Sequence, residues 1–126
     1  MTSGVERAPG RSPDALQAAP PSRRLRSGLE LIRRGEYFAA HEELELVWRA
    51  APPEERDFFH GLVHVAVAWY QAGRGKPIAT ERQLAKAIRR LEPFAPRHRG
   101  VDVAALLEQL RELSASGSLD LPAPRI

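Results

Sequence analysis

The sequence predicts an all-α fold: a compact bundle of about five helices with a central antiparallel helical hairpin. Three observations carry this. Between residues 22 and 114 the apolar residues recur at spacings of three and four, and no run alternates with the period of a strand. Glycine and proline fall at helix-length intervals, at Gly35, Pro52-Pro53, Gly73-Arg74-Gly75 and Pro93, where they stop one helix and allow the next to begin. Finally, residues 58–72 are apolar around more than half of a helical wheel, and a helix that apolar must be surrounded by others.

Each element has its own reason. The first helix, about 22–34, presents Leu25, Leu29 and Ile32 as one stripe and stops at Gly35, which tolerates a left-handed conformation. The second, 37–49, ends before Pro52-Pro53, because the residue ahead of a proline is pushed out of the helical region. Pro53 can open the third, with Glu54, Glu55 and Asp57 well placed at its positive end. That helix breaks at Gly73-Arg74-Gly75, and Gly61 inside it would let a neighbour approach closely. A fourth helix, 80–91, starts with Thr80 and Gln83 as a capping pair and ends at Pro93. The fifth starts at Asp102, a good N-cap, and carries Val103, Leu106, Leu107, Leu110 and Leu113.

A length of 126 residues fits one domain. Residues 1–21 hold four of the eleven prolines and few apolar residues, too little to offset the entropy of ordering, and are expected to form a disordered tail. Residues 22–114 form the helical domain, and 115–126 a loose tail that Leu119 and Leu121 can dock. No apolar run approaches the ~18 residues a membrane span requires, the N-terminal stretch lacks the apolar block of a secretory signal, and there is no cysteine. The expected compartment is the cytoplasm, with no membrane partner.

The net charge of +3 is unevenly spread. Residues 36–57 carry two basic and seven acidic groups, and residues 58–99 eight basic and two acidic. Such segregation lets helices complement one another or marks a partner surface. Arg82, Lys86 and Arg89, with Arg90 beside them, make a basic stripe on the fourth helix. No aromatic residue is interleaved with it, so nucleic acid is not the expected partner, and weak nucleic-acid binding through this basic face is kept as an alternative. The segment GRGKP at 73–77 lacks the full phosphate-loop pattern and reads as a turn.

Four segments together, RRGEYFAAHEELELVWR, RDFFHGLVHVAVAWYQAGRG, LAKAIRRLEPF and GVDVAALLEQL, resemble the bacterial and archaeal family called domain of unknown function 309. The resemblance covers about residues 24–113. It implies a small all-helical fold and no assigned activity, and it maps the family's signature onto Gly35, Glu36, His41, Glu42, Glu45, Trp48, Gly61 and Leu62. This chain departs at His60 and His64, where the resemblance implies glutamine.

The segment YFAAHEELELVWR places His41 on the apolar face, at about 100° per residue, with Glu45 one turn on at its edge. His60 and His64 share a face of the next helix in the same way. Three readings follow. In the favoured one, His41, Glu42, Glu45 and Arg56 form a polar clasp between the two helices, with Trp48 packed across the same face, because a buried carboxylate must find a partner. Arg49, four residues after Glu45, is a second candidate partner. In another, Trp48, Trp69 or Tyr70 wall a small-molecule pocket anchored by His41 and Glu45. In the last, His41, Glu45, His60 and His64 converge on a divalent metal ion, with Glu42 as general base of a hydrolase. Against the metal stand HExxE in place of HExxH and the lack of a di-iron Glu-x-x-His pattern. The expected function is a non-catalytic binding or assembly module without a cofactor, with homodimerisation open because helices apolar on several sides need cover.

Overall fold

A computed structural model describes residues 21–126. The disordered tail expected over 1–21 therefore lies outside the described residues, except that Pro21 opens the first helix. The elements are α1 (Pro21–Arg33), α2 (Tyr37–Ala50), α3 (Pro53–Gly73), α4 (Pro77–Leu91), a 3-10 turn (Glu92–Phe94), strands β1 (Arg97–His98) and β2 (Val101–Asp102), and α5 (Val103–Ser116). The bundle is all-helical, as the hydrophobic spacing predicts.

The stops act as their chemistry demands. Gly35, Gly75 and Gly117 sit at φ 77°, 71° and 71°, ending helices in the left-handed region that glycine reaches without a Cβ penalty. Pro53 and Pro77 open α3 and α4, where a missing N–H costs nothing. Asp102 caps α5 by accepting from the Ala105 amide at 3.0 Å.

Two local expectations change. α4 starts at Pro77, so Thr80 lies inside it, and its hydroxyl bonds back to the Lys76 carbonyl at 2.7 Å in place of capping. The sequence shows no strand signal, yet a two-residue antiparallel ribbon pairs Arg97 with Asp102 and His98 with Val101. Its turn puts Arg99 at φ 48° and Gly100 at φ 80°.

α3 is the common member of two hairpins. It packs most extensively on α4 and next on α2, while α1 covers α2 and α5 covers α4. Trp48 meets His60 at one end of the α2–α3 pair and Phe38 meets Tyr70 at the other, so the pair is antiparallel. Phe58, Phe59, Leu62, Val65, Ala66 and Ala68 of α3 are fully buried. Two glycines fix how closely helices approach. A Cβ on Gly61 would lie 2.6 Å from Leu91 Cγ on α4, and one on Gly28 would lie 2.6 Å from Leu44 Cδ2 on α2.

Candidate functional site

The polar residues on α2 and α3 sort into three places. On the outer edge of α2, His41 Nε2 lies 3.6 Å from Glu45 Oε2, and Arg49 reaches Glu45 Oε1 at 3.4 Å. All three belong to one helix, so this cluster fastens nothing to α3. Glu42 and Arg56 are exposed and make no ion pair among the described residues. The clasp of His41, Glu42, Glu45 and Arg56 expected between the helices is therefore not what forms. At about 100° per residue, Glu42 lies on the solvent arc between Phe38 and Leu46, and Arg56 lies in the first turn of α3 on its outer side.

The second place is a stack across α2, α3 and α4. The imidazole of His60 lies against the Trp48 indole, centroids 4.0 Å apart and planes 17° apart. His64 follows one turn later with its ring 4.3 Å from that of His60, and Gln83 of α4 lies behind it. His64 Nδ1 and Gln83 Oε1 are 2.8 Å apart. An amide oxygen only accepts, so Nδ1 carries the proton and Nε2 is left with its lone pair. That Nε2 is buried without a hydrogen-bond partner among the described residues, as is His41 Nδ1. Burial pushes the His60 imidazole down to about 4, reinforced by the nearby His64, Arg90 and Lys86. Burial likewise lowers His64, with the charges of Arg90, Lys86 and Arg89 adding to it and the Gln83 hydrogen bond partly opposing. Both rings are neutral at pH 7.

The four-ligand convergence does not occur either. His41 and Glu45 stay with each other on α2, His60 and His64 stack on α3, and no group of three or more His, Asp or Glu residues that could hold a metal ion forms among the described residues. The cations of α4 oppose a positive ion beside the two imidazoles for the same reason that they depress their protonation.

The third place is a groove where α2 begins and α3 ends. Tyr37, Phe38, Trp69, Tyr70 and Arg74 line an open hollow of about 710 Å³. Phe38 is 51% exposed at its rim. Its ring lies 5.3 Å from those of both His41 and Tyr70. Arg74 donates to the Tyr70 hydroxyl at 3.0 Å and holds its guanidinium 5.6 Å from that ring's centroid. Of the aromatic walls named from sequence, Trp69 and Tyr70 are here, whereas Trp48 is at the far end of α2. Phe38 was not singled out. Its signal was present: on a helix whose inner positions Ala40, Leu44 and Val47 are all filled, a phenylalanine off that stripe is surplus to the core.

Ion pairs that join distant elements carry no such signal in the sequence. Glu55 accepts from His98 at 2.9 Å and from Arg99 at 2.7 Å, tying the start of α3 to the ribbon. Burial alone raises the Glu55 pKa, but the hydrogen bonds and charges of Arg99 and His98 outweigh it and hold the carboxyl below its ordinary value. Arg90 reaches Asp57 at 2.8 Å, and Arg24 reaches Glu43 at 3.1 Å. Arg82, Lys86 and Arg89 remain a solvated face on α4.

No described helix is long and apolar enough to cross a membrane. The chain is similar to a protein named uncharacterized protein YpuF from Bacillus subtilis (strain 168), with 35% identity over 97 residues. That match takes in 69% of this chain and 56% of the relative, so the chain spans little more than half the relative's length. No solved structure matches it significantly. The family model described as domain of unknown function (DUF309) matches residues 25–82, which run from α1 through the α2–α3 hairpin into α4 and contain the histidine stack and the groove. Through residues 25–82 the chain is similar to the DUF309 family.

Proposed function

We propose that the protein is a non-catalytic, cytoplasmic binding module that receives a partner protein in the aromatic groove between the start of α2 and the end of α3. The observation that carries this reading is Phe38, a large apolar ring half in water at the rim of a hollow walled by Tyr37, Trp69 and Tyr70. Leaving such a ring exposed forgoes roughly 1–2 kcal/mol of burial, which a partner's apolar side chain recovers. Arg74, fixed over Tyr70, supplies a cation at the edge for an acidic group on the partner. The neutral His60–His64 stack supports the hairpin from within and has no part in chemistry. A cytoplasmic setting accords with the absence of cysteine.

Photo-crosslinking tests the reading. p-Benzoylphenylalanine replacing Phe38 in the full chain is expected to give a discrete light-dependent adduct in cells, lost on Tyr70→Ala. The same group at Lys86, on the solvated face of α4, is expected to give none. Equal adducts from both positions, or none from position 38, would overturn it. Sedimentation of the pure protein decides whether the partner is a second copy.

A further inference from the structure

The ten residues after α5 do not trail into solvent. Residues 117–126 turn back at Gly117 and run across α5, α3 and α1. Trp69 of α3 donates its indole N–H to the Pro122 carbonyl at 3.0 Å. Gln109 of α5 donates its amide to the Ala123 carbonyl at 2.9 Å and accepts from the Arg125 amide at 2.8 Å. Arg33 of α1 donates to the Ile126 carbonyl at 3.3 Å. The Arg125 guanidinium lies 3.3 Å from Glu108 and 3.6 Å from Glu112 on the outer face of α5. Leu121 and Ile126 pack against the core.

Side chains from three helices thus read four backbone groups of this strap. Helix backbone could not do so, because its own groups are already paired. The reader at the centre is Gln109, only 3% exposed. Burying a glutamine among Leu106, Leu107 and Leu110 is costly unless both ends of its amide are satisfied, and only the strap satisfies them. The prolines suit the site. Pro122 and Pro124 bring no N–H that must be matched, and the Pro124 carbonyl accepts from the Ile126 amide at 2.9 Å. A tryptophan N–H on a proline carbonyl, beside backbone contacts and an acidic pair for an arginine, is how extended proline-containing segments are recognised.

We propose that the groove between α1, α3 and α5 is a peptide-binding site for an extended Leu-Pro-x-Pro-Arg segment of a partner protein, filled in this chain by its own residues 121–126. The proposal goes beyond the reading of the Phe38 groove and stands without it. The fit of the strap's backbone to Trp69 and Gln109, and the charge match of Arg125 to Glu108 and Glu112, define the occupant. A strap tethered by residues 117–120 competes at a millimolar effective concentration, so the site opens to a partner only when the strap lifts.

The test uses the full chain and a fluorescent peptide of sequence SLDLPAPRI. Leu121→Ser with Arg125→Ala weakens the strap without touching the groove. This variant is expected to bind the peptide about 100-fold more tightly than the unaltered chain does. Adding Gln109→Ala is expected to abolish binding while circular dichroism stays helical. A folded strap-weakened chain that does not bind, or binding indifferent to Gln109, overturns the proposal. In the unaltered chain, the Arg125 amide is expected to exchange with solvent roughly 100-fold faster than the amides of α3. Equal rates would make the strap part of the fold and also overturn it. A concentration-dependent dimer lost in the strap-weakened variant would assign the groove to exchange between copies and overturn the partner reading.

Discussion

The Trp48 indole and the His60 imidazole lie face to face, 4.0 Å apart and within 17° of parallel, joining the end of α2 to the start of α3. Burial there takes the imidazole out of the water that its charged form needs, and the nearby His64, Arg90 and Lys86 disfavour a further positive charge. His60 is held to about 4 for that reason.

Stability should therefore depend on pH in a defined window. Both His60 and His64 have pKa values lowered by folding, so below about 6.5 the unfolded chain takes up protons that the folded chain refuses. Stability is complete above that pH and is lost as pH falls toward about 4. Thermal unfolding is expected roughly 5–10 °C lower at pH 4.5 than at pH 7. His60→Gln with His64→Gln should flatten that slope. Glu55, whose pKa is also lowered by folding, contributes its loss only below about 4.5, in a separate window.

Glu55→Gln removes the carboxylate that accepts from His98 and Arg99. Charge-assisted hydrogen bonds of a half-buried group are worth about 1–2 kcal/mol together, and urea denaturation should show that loss with α1 and α2 unaffected. Glu45→Ala touches only an outer-edge cluster on one helix. It should cost less than about 0.5 kcal/mol, and a Glu45→Ala protein that fails to fold would restore the clasp between the helices.

Gly61→Ala puts a methyl 2.6 Å from Leu91 Cγ, inside a core where Leu91 is fully buried. Overpacking at a helix crossing costs about 1–3 kcal/mol, to be read as a lower urea midpoint. Gly73→Ala, where a Cβ meets nothing within 4 Å, is the control.

The helices were legible because Leu25, Leu29 and Ile32, or Ala40, Leu44 and Val47, declare a buried face by spacing alone, and because glycine and proline act locally. The site was legible only in part. His41 and Glu45 share a face of α2 as their spacing requires, but spacing cannot say whether that face meets α3 or water. His60 and His64 do turn inward, and their partners proved to be Trp48, across the α2–α3 turn, and Gln83, which local reasoning assigned to a cap. Glu55 and His98 are 43 positions apart, and the strap's readers Trp69 and Gln109 pair with residues 53 and 14 positions away. Such pairings depend on how helices pack, and no local pattern announces them.

His60 and His64 turn inward as neutral packing for the hairpin. Following the ring proton and nitrogen resonances of His60 and His64 by NMR from pH 7.5 to 3.5 measures this directly. The expected result is a His60 midpoint near 4, with His64 also below the ordinary 6.5 and protonated at Nδ1. A His60 midpoint at or above 6.5 would contradict it.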